Sequence, residues 1–175
     1  GVDLSVFVVD INGVVRSSVT YKATQTYSTK PIDTVIAALE KKSVTYNNAD
    51  GDPLYQQNYR DGKTVTTTLF ALSDTTGEIE LSEQYEDLDQ ERTTAPLASV
   101  LGKKKQISHF AKGDIDWSQN LRGIKGSEIA VDLTVFTVDA QGVVSKSVTH
   151  KADDQNTIYS TKPIDTVIAA LEKKS

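Results

Sequence analysis

Few residues in this chain could do chemistry, and the most promising are oxygen donors. Asn47-Asn48-Ala49-Asp50-Gly51-Asp52 places several side-chain oxygens on a bending backbone, with Asp50 and Asp52 as its carboxylates. Calcium takes about six to eight oxygens from such groups, so a hard cation is the best chemical candidate. The spacing is not that of an EF-hand, and an Asx-rich turn is the plainer reading. Seven acids lie between Glu78 and Glu91, namely Glu78, Glu80, Glu83, Glu86, Asp87, Asp89 and Glu91. They read as a solvated strand edge, with a cation-binding surface as the sharper alternative.

Catalysis has little to work with. The 175 residues hold two histidines, His109 and His150, and no cysteine. Thiolate chemistry, disulfides and zinc–thiolate sites are thereby excluded. His109 lacks a serine or cysteine at a recognisable spacing. His150 occupies the place that Tyr21 holds in an internal repeat, so the repeat does not require a histidine there. No glycine-rich phosphate loop, HExxH or nucleophile elbow is present, and an enzyme is not expected. Trp117 with Tyr46, Tyr55 and Tyr59 could stack on a sugar, but a core or rim anchor is the plainer role for the tryptophan.

These residues must be positioned by a repetitive scaffold. Ser28–Ser43 and Ser160–Ser175 are identical, and Val2–Val15 returns with changes as Val131–Val144. Residues 3–9 alternate with period two, Asp10-Ile11-Asn12-Gly13 is turn chemistry, and Val14–Ala23 reads as the returning strand. Ile32, Val35, Ile36 and Leu39 then fall at helical spacing. The spacing predicts an amphipathic helix of about three turns, entered at Pro31, capped by Thr29 and ending near Lys41 and Lys42. The repeated unit is thus ββα.

The fold class expected is α+β and mainly β. It consists of antiparallel hairpins in a sandwich-like sheet, with two short amphipathic helices from the duplicated unit. Residues 1–43 form the first ββα copy, 44–130 a β-rich middle with acidic and Asn/Asp-rich loops, and 131–175 the second copy. Within the middle, 44–62 read mostly as loop. Thr64–Leu72 alternates as a strand and turns through Asp74–Gly77 into Glu78–Leu81. Lys103-Lys104-Lys105 reads as a solvated basic turn, and 118–128 as a linker.

Composition narrows the partners. The net charge of −5 argues against nucleic acid, which needs a basic face. No apolar run approaches the roughly 18–20 residues of a membrane helix, so membrane insertion is not expected. The compartment stays open, with a cell-surface, extracellular or virion setting favoured over the cytoplasm.

Asp3-Leu-Ser-Val-Phe-Val-Val-Asp10-Ile-Asn-Gly13-Val-Val and Asp132-Leu-Thr-Val-Phe-Thr-Val-Asp139-Ala-Gln-Gly142-Val-Val are similar to a strand of the TerD family. Those are calcium-binding stress and tellurite-resistance proteins of β-sandwich fold. Thr76–Ser82, Ala95–Gly102 and Ser108–Gly113 loosely resemble the family's later strands. The resemblance implies calcium as a cofactor and maps Asp3 and Asp132 onto one of the family's acidic positions. The family's acidic calcium loop is absent here.

The duplication points instead to packing. The apolar surfaces of the two copies comprise Leu4, Val6, Phe7, Ile32, Val35, Ile36 and Leu39, and then Leu133, Val135, Phe136, Ile164, Val167, Ile168 and Leu171. Each set needs covering by the other copy or by a neighbouring molecule. The leading expectation is a non-catalytic structural module of a repetitive or self-assembling protein of surface, fibre or phage type. Its partner is itself or neighbouring repeats, and no cofactor is required. A calcium-binding TerD-like module is the alternative.

Overall fold

Alternating β-branched residues punctuated by glycine turns make this chain a succession of hairpins. A computed structural model describes residues 2–88, 90–139 and 141–174. Among them lie ten strands: β1 (Val2–Val9), β2 (Val15–Ala23), β3 (Glu40–Asn47), β4 (Pro53–Arg60), β5 (Lys63–Leu72), β6 (Ile79–Glu86), β7 (Lys104–Ala111), β8 (Asp114–Arg122), β9 (Ile129–Val138) and β10 (Val144–Lys151). They form one antiparallel sheet in chain order. Helix is confined to α1 (Asp33–Ala37), α2 (Asp165–Ala170) and a 3₁₀ turn at Ala98–Val100. The fold is therefore mainly β.

The turns follow from their side chains. Between β1 and β2, the Asp10 carboxylate accepts the N–H groups of Asn12 at 2.8 Å and Val14 at 3.0 Å, and Gly13 takes φ +83°. The Val14 N–H is the main reason the Asp10 pKa falls below the ordinary carboxylate value. Asp139 binds Gln141 and Val143 in the same way, both at 2.9 Å. In the β5–β6 turn the corresponding residue is Ser73 rather than the expected Asp74. The Ser73 carbonyl accepts the Gly77 N–H at 2.9 Å, and its hydroxyl lies 3.4 Å from the N–H groups of Thr75 and Thr76.

Five local expectations are corrected. The helix of about three turns is a single short turn, α1, because Glu40–Ser43 pairs with β2 instead. So short a helix is marginal alone, whereas a strand beside β2 satisfies the backbone continuously. Ile32, not Thr29, is the N-cap, and it makes no side-chain capping bond. Residues 44–62 are not mostly loop, since they complete β3 and supply β4, leaving a tight turn in which Asn48 binds the Asp50 and Asp52 N–H groups. Lys104 opens β7 and pairs with Glu83, and β8 runs through the expected linker as far as Arg122.

The chain divides into two compact units, one holding residues up to 69 with 86–101, the other 70–85 with 102 onward. In the first, Val44, Tyr55, Gln57, Thr67 and Leu101 are buried. In the second, Ile107, Leu121 and Ala130 form an apolar cluster onto which Leu81 and Ala152 pack.

The registers recur. Asp3↔Lys22 through Val9↔Val15 in β1–β2 has its counterpart in Asp132↔Lys151 through Val138↔Val144 in β9–β10, including the bulge. Tyr46↔Tyr55 in β3–β4 corresponds to His109↔Trp117 in β7–β8. Tyr55↔Leu69 through Arg60↔Lys63 in β4–β5 corresponds to Trp117↔Val135 through Arg122↔Ile129 in β8–β9. Burial along β5 and β9 is the same at every position.

Candidate functional site

Of the four acids assigned to metal, Asp3, Asp52 and Asp132 each accept a nitrogen donor. Asp3, on β1, holds the Lys42 ammonium at 2.7 and 2.9 Å. Asp132, on β9, accepts the Asn120 side-chain amide at 2.9 Å and Lys174 at 3.0 Å. Lys42 and Lys174 are the same position of the repeated sequence, so both acids are engaged alike. Asp52 accepts the Asn48 side-chain amide at 3.2 Å, within the β3–β4 turn that also carries Asp50. Among the described residues no three His, Asp or Glu side chains gather as a metal ligand set.

The aromatic residues are structural. Trp117 is buried, and the His109 ring stacks on it with centroids 3.9 Å apart. Burial pushes the His109 pKa below its ordinary value, against the pull of Glu83 and Asp116. His150 is buried with Nδ1 3.4 Å from the Leu171 carbonyl. Tyr46 and Tyr55 stack at 4.7 Å, and burial lifts the Tyr55 hydroxyl to about 12. Trp117 and Tyr55 therefore present no open face for a sugar. Tyr59 is half-buried and donates to Glu91 at 3.2 Å.

The acidic run is not a uniformly solvated edge. Asp87 is buried, and its carboxylate accepts Arg92 Nε at 2.6 Å and Nη2 at 2.7 Å, with the Thr67 hydroxyl at 2.6 Å. Burial raises its pKa, but the bonds from Arg92, Thr67 and Gln57 more than offset this and hold it below the ordinary value. Glu83 binds Tyr85 and Lys104, and Glu91 binds Lys41. Asp89 lies outside the described residues.

Beside Asp87 sits a device the sequence reading missed. Gln57 of β4 is fully buried, donates to the Gln90 carbonyl at 2.8 Å and accepts the Arg92 N–H at 2.8 Å. Gln119 of β8, also fully buried, donates to the Thr157 carbonyl at 3.0 Å and accepts the Tyr159 N–H at 2.8 Å. Each glutamine thus clasps a carbonyl and the N–H two residues on, as a neighbouring strand would. Each is followed by an asparagine that bonds across to the next strand: Asn58 to Thr66 at 3.0 Å, and Asn120 to Asp132. Each is preceded, two positions earlier, by the buried aromatic Tyr55 or Trp117. The signal available in the sequence was an aromatic-x-Gln-Asn pattern at Tyr55–Asn58 and Trp117–Asn120.

The apolar residues assigned to packing divide sharply between the copies. Leu133 is fully buried, and Val135 and Phe136 are half-buried; Leu4 and Val6 are half-buried, and Phe7 is 59% exposed. In the helical turns Ile32 and Ile164 are 70% and 69% exposed, Val35 and Val167 are also exposed, Ile36 is buried, and Leu39, Ile168 and Leu171 are half-buried.

The feature that recurs among the described residues is therefore the buried glutamine clasp, on β4 and again on β8 of the antiparallel sheet. No known protein family and no curated protein matches this chain.

Proposed function

We propose that this chain is a non-catalytic structural module of a repetitive or self-assembling protein, of surface, fibre or phage type, acting by protein–protein packing. In this reading β1–β4, β5–β8 and β9–β10 are successive turns of one recurring ββ-helix-ββ unit, packed sandwich-like. The observation that carries the reading is the outer side of β1. Phe7, Val8 and Val9 are exposed on a strand with no pairing partner on that side among the described residues. An open apolar edge is a template for another strand, and proteins that must stay monomeric blunt such edges with charge or bulges. No helix among the described residues is long and apolar enough to cross a membrane.

Light scattering after size exclusion tests the reading. The chain is expected to associate as its concentration rises, and Val8→Lys, which puts a charge on the edge, is expected to suppress association. A particle that stays monomeric at millimolar concentration would count decisively against it. The calcium-binding TerD-like reading ranks second, because Asp3 and Asp132, the acids it maps, are each paired with a lysine. A calcium titration that released heat and raised the melting temperature would restore it.

A further inference from the structure

We propose that the outer side of β1 is a docking edge for one kind of strand: an antiparallel strand carrying aromatic-x-Gln-Asn, supplied by a preceding repeat of this type. The inference rests on the proposed building-block function and names the partner that function requires. The chain itself holds the precedent. β9 matches β1 residue for residue over most of its length, and β9 has β8 on the corresponding side. In that pairing Trp117 lies opposite Val135, Ser118 opposite Thr134, Gln119 opposite Leu133 and Asn120 opposite Asp132. β5 receives β4 in the same register, with Tyr55 opposite Leu69, Gln57 opposite Thr67 and Asn58 opposite Thr66. Transferred to β1, the rule sets the aromatic opposite Val6, the glutamine opposite Leu4 and the asparagine opposite Asp3.

The receiving groups are in place. The Asp132 carboxylate binds both Lys174 and Asn120, whereas Asp3 binds Lys42 and remains half-exposed, with room for an incoming amide. The clasped backbone has its counterpart too. Tyr27 and Gln25 stand in the repeated sequence where Tyr159 and Thr157 stand. No described residue offers the Tyr27 N–H and Gln25 carbonyl the glutamine side chain that Gln119 offers to Tyr159 and Thr157. An arriving strand would gain backbone pairing along β1, a glutamine clasp on 25–27 and an asparagine bond to Asp3. Only the motif supplies all three.

The test extends the chain at its start. A second copy of residues 104–130 is placed directly before Val2, so that its alanine leads into β1 as Ala130 leads into Val131. Hydrogen exchange is then read at the β1 amides and at Tyr27. The expected result is slowing of at least tenfold at alternate β1 amides and at Tyr27, relative to the parent chain. Gln119→Ala with Asn120→Ala in the added copy alone should abolish the slowing at Tyr27. Exchange at parental rates in a folded extended chain overturns the proposal, and so does equal slowing with and without the two alanines. Should the extended chain not fold, a peptide spanning residues 104–122 is titrated into the labelled parent. Resonance shifts at Asp3–Val6 and Tyr27 support the proposal, and no shift up to millimolar peptide overturns it. Failure here with association still seen by light scattering would leave the building-block reading standing through another surface. A monomeric parent whose extended chain protects β1 would do the reverse.

Discussion

The β1–β2 and β9–β10 hairpins have nearly the same sequence, the same turn and the same register, yet they differ in what covers them. Every residue of β9 is as buried as its β1 counterpart or more so. Leu133 is fully buried where Leu4 is half-buried, and the Asp132 side chain is 11% exposed where that of Asp3 is 51% exposed. Sequence sets strand, turn and register; the neighbouring strand sets burial. Between β1 and β9 themselves the difference reports what β8 contributes, since β8 pairs with β9 and no described strand pairs with the corresponding side of β1.

The largest expected effect comes from the paired leucines. Leu133→Ala leaves a cavity in a filled core and should cost about 2–5 kcal/mol, whereas Leu4→Ala should cost about 1 kcal/mol or less, because part of that side chain already meets water. Chemical denaturation measures both. Equal costs would mean that β8 adds nothing to the burial of Leu133.

Next is the clasp. Gln119→Ala strands the half-buried Thr157 carbonyl and Tyr159 N–H, at about 1–2 kcal/mol. Its distinctive readout is local. The Tyr159 amide should exchange as fast as that of Tyr27, making the loop after β10 behave like the loop after β2. An unchanged Tyr159 amide in a folded variant would show that the clasp does not hold this loop.

The acids come third. Asp132→Ala removes bonds to both Asn120 and Lys174 and should cost about 1–2 kcal/mol. Asp3→Ala breaks an exposed pair with Lys42, for which a few tenths of a kcal/mol is expected. Thermal melts of the two variants rank them, and a larger loss for Asp3 would reverse the assignment of β8 as the source of the difference.

What could be read from the sequence was whatever depends on near neighbours. β1, β2, β5, β9 and β10 follow from alternation, and their turns follow from Asp10, Asp139 and the glycines after them. β3 and β4 did not show, because their buried positions include Gln57 and Tyr55, whose polar atoms are satisfied by Gln90 and Arg92 far along the chain. Hydrophobic alternation cannot register a buried amide. The helix was overread for a related reason. Ile32, Val35, Ile36 and Leu39 keep helical spacing, but β2 offers Glu40–Ser43 a ladder that the local pattern does not contain. Asp87 looked solvated because its partners Thr67 and Gln57 lie on other strands. At the candidate site the motif residues were visible singly, and only the register makes them a rule.

The smallest effect is one of pH. Asp153 accepts the Thr157 N–H at 2.8 Å and the Tyr159 hydroxyl at 2.9 Å, while the loop after β2 has Thr24 at the corresponding place. Burial raises the Asp153 pKa, but the Thr157 and Tyr159 bonds outweigh it and hold the group below the ordinary carboxylate value. A carboxyl with a depressed folded pKa contributes stability that is fully present above its unfolded value, about 4, and is lost as the pH falls through the folded one. Acidification from about pH 5 to 2 should therefore shift the Thr157 and Tyr159 amide resonances while those of Gln25 and Tyr27 barely move. In Asp153→Thr the two loops should titrate alike. If Gln25 and Tyr27 respond as strongly as Thr157 and Tyr159 in the parent chain, the two loops differ by the clasp alone, and the carboxylate adds nothing to the contrast.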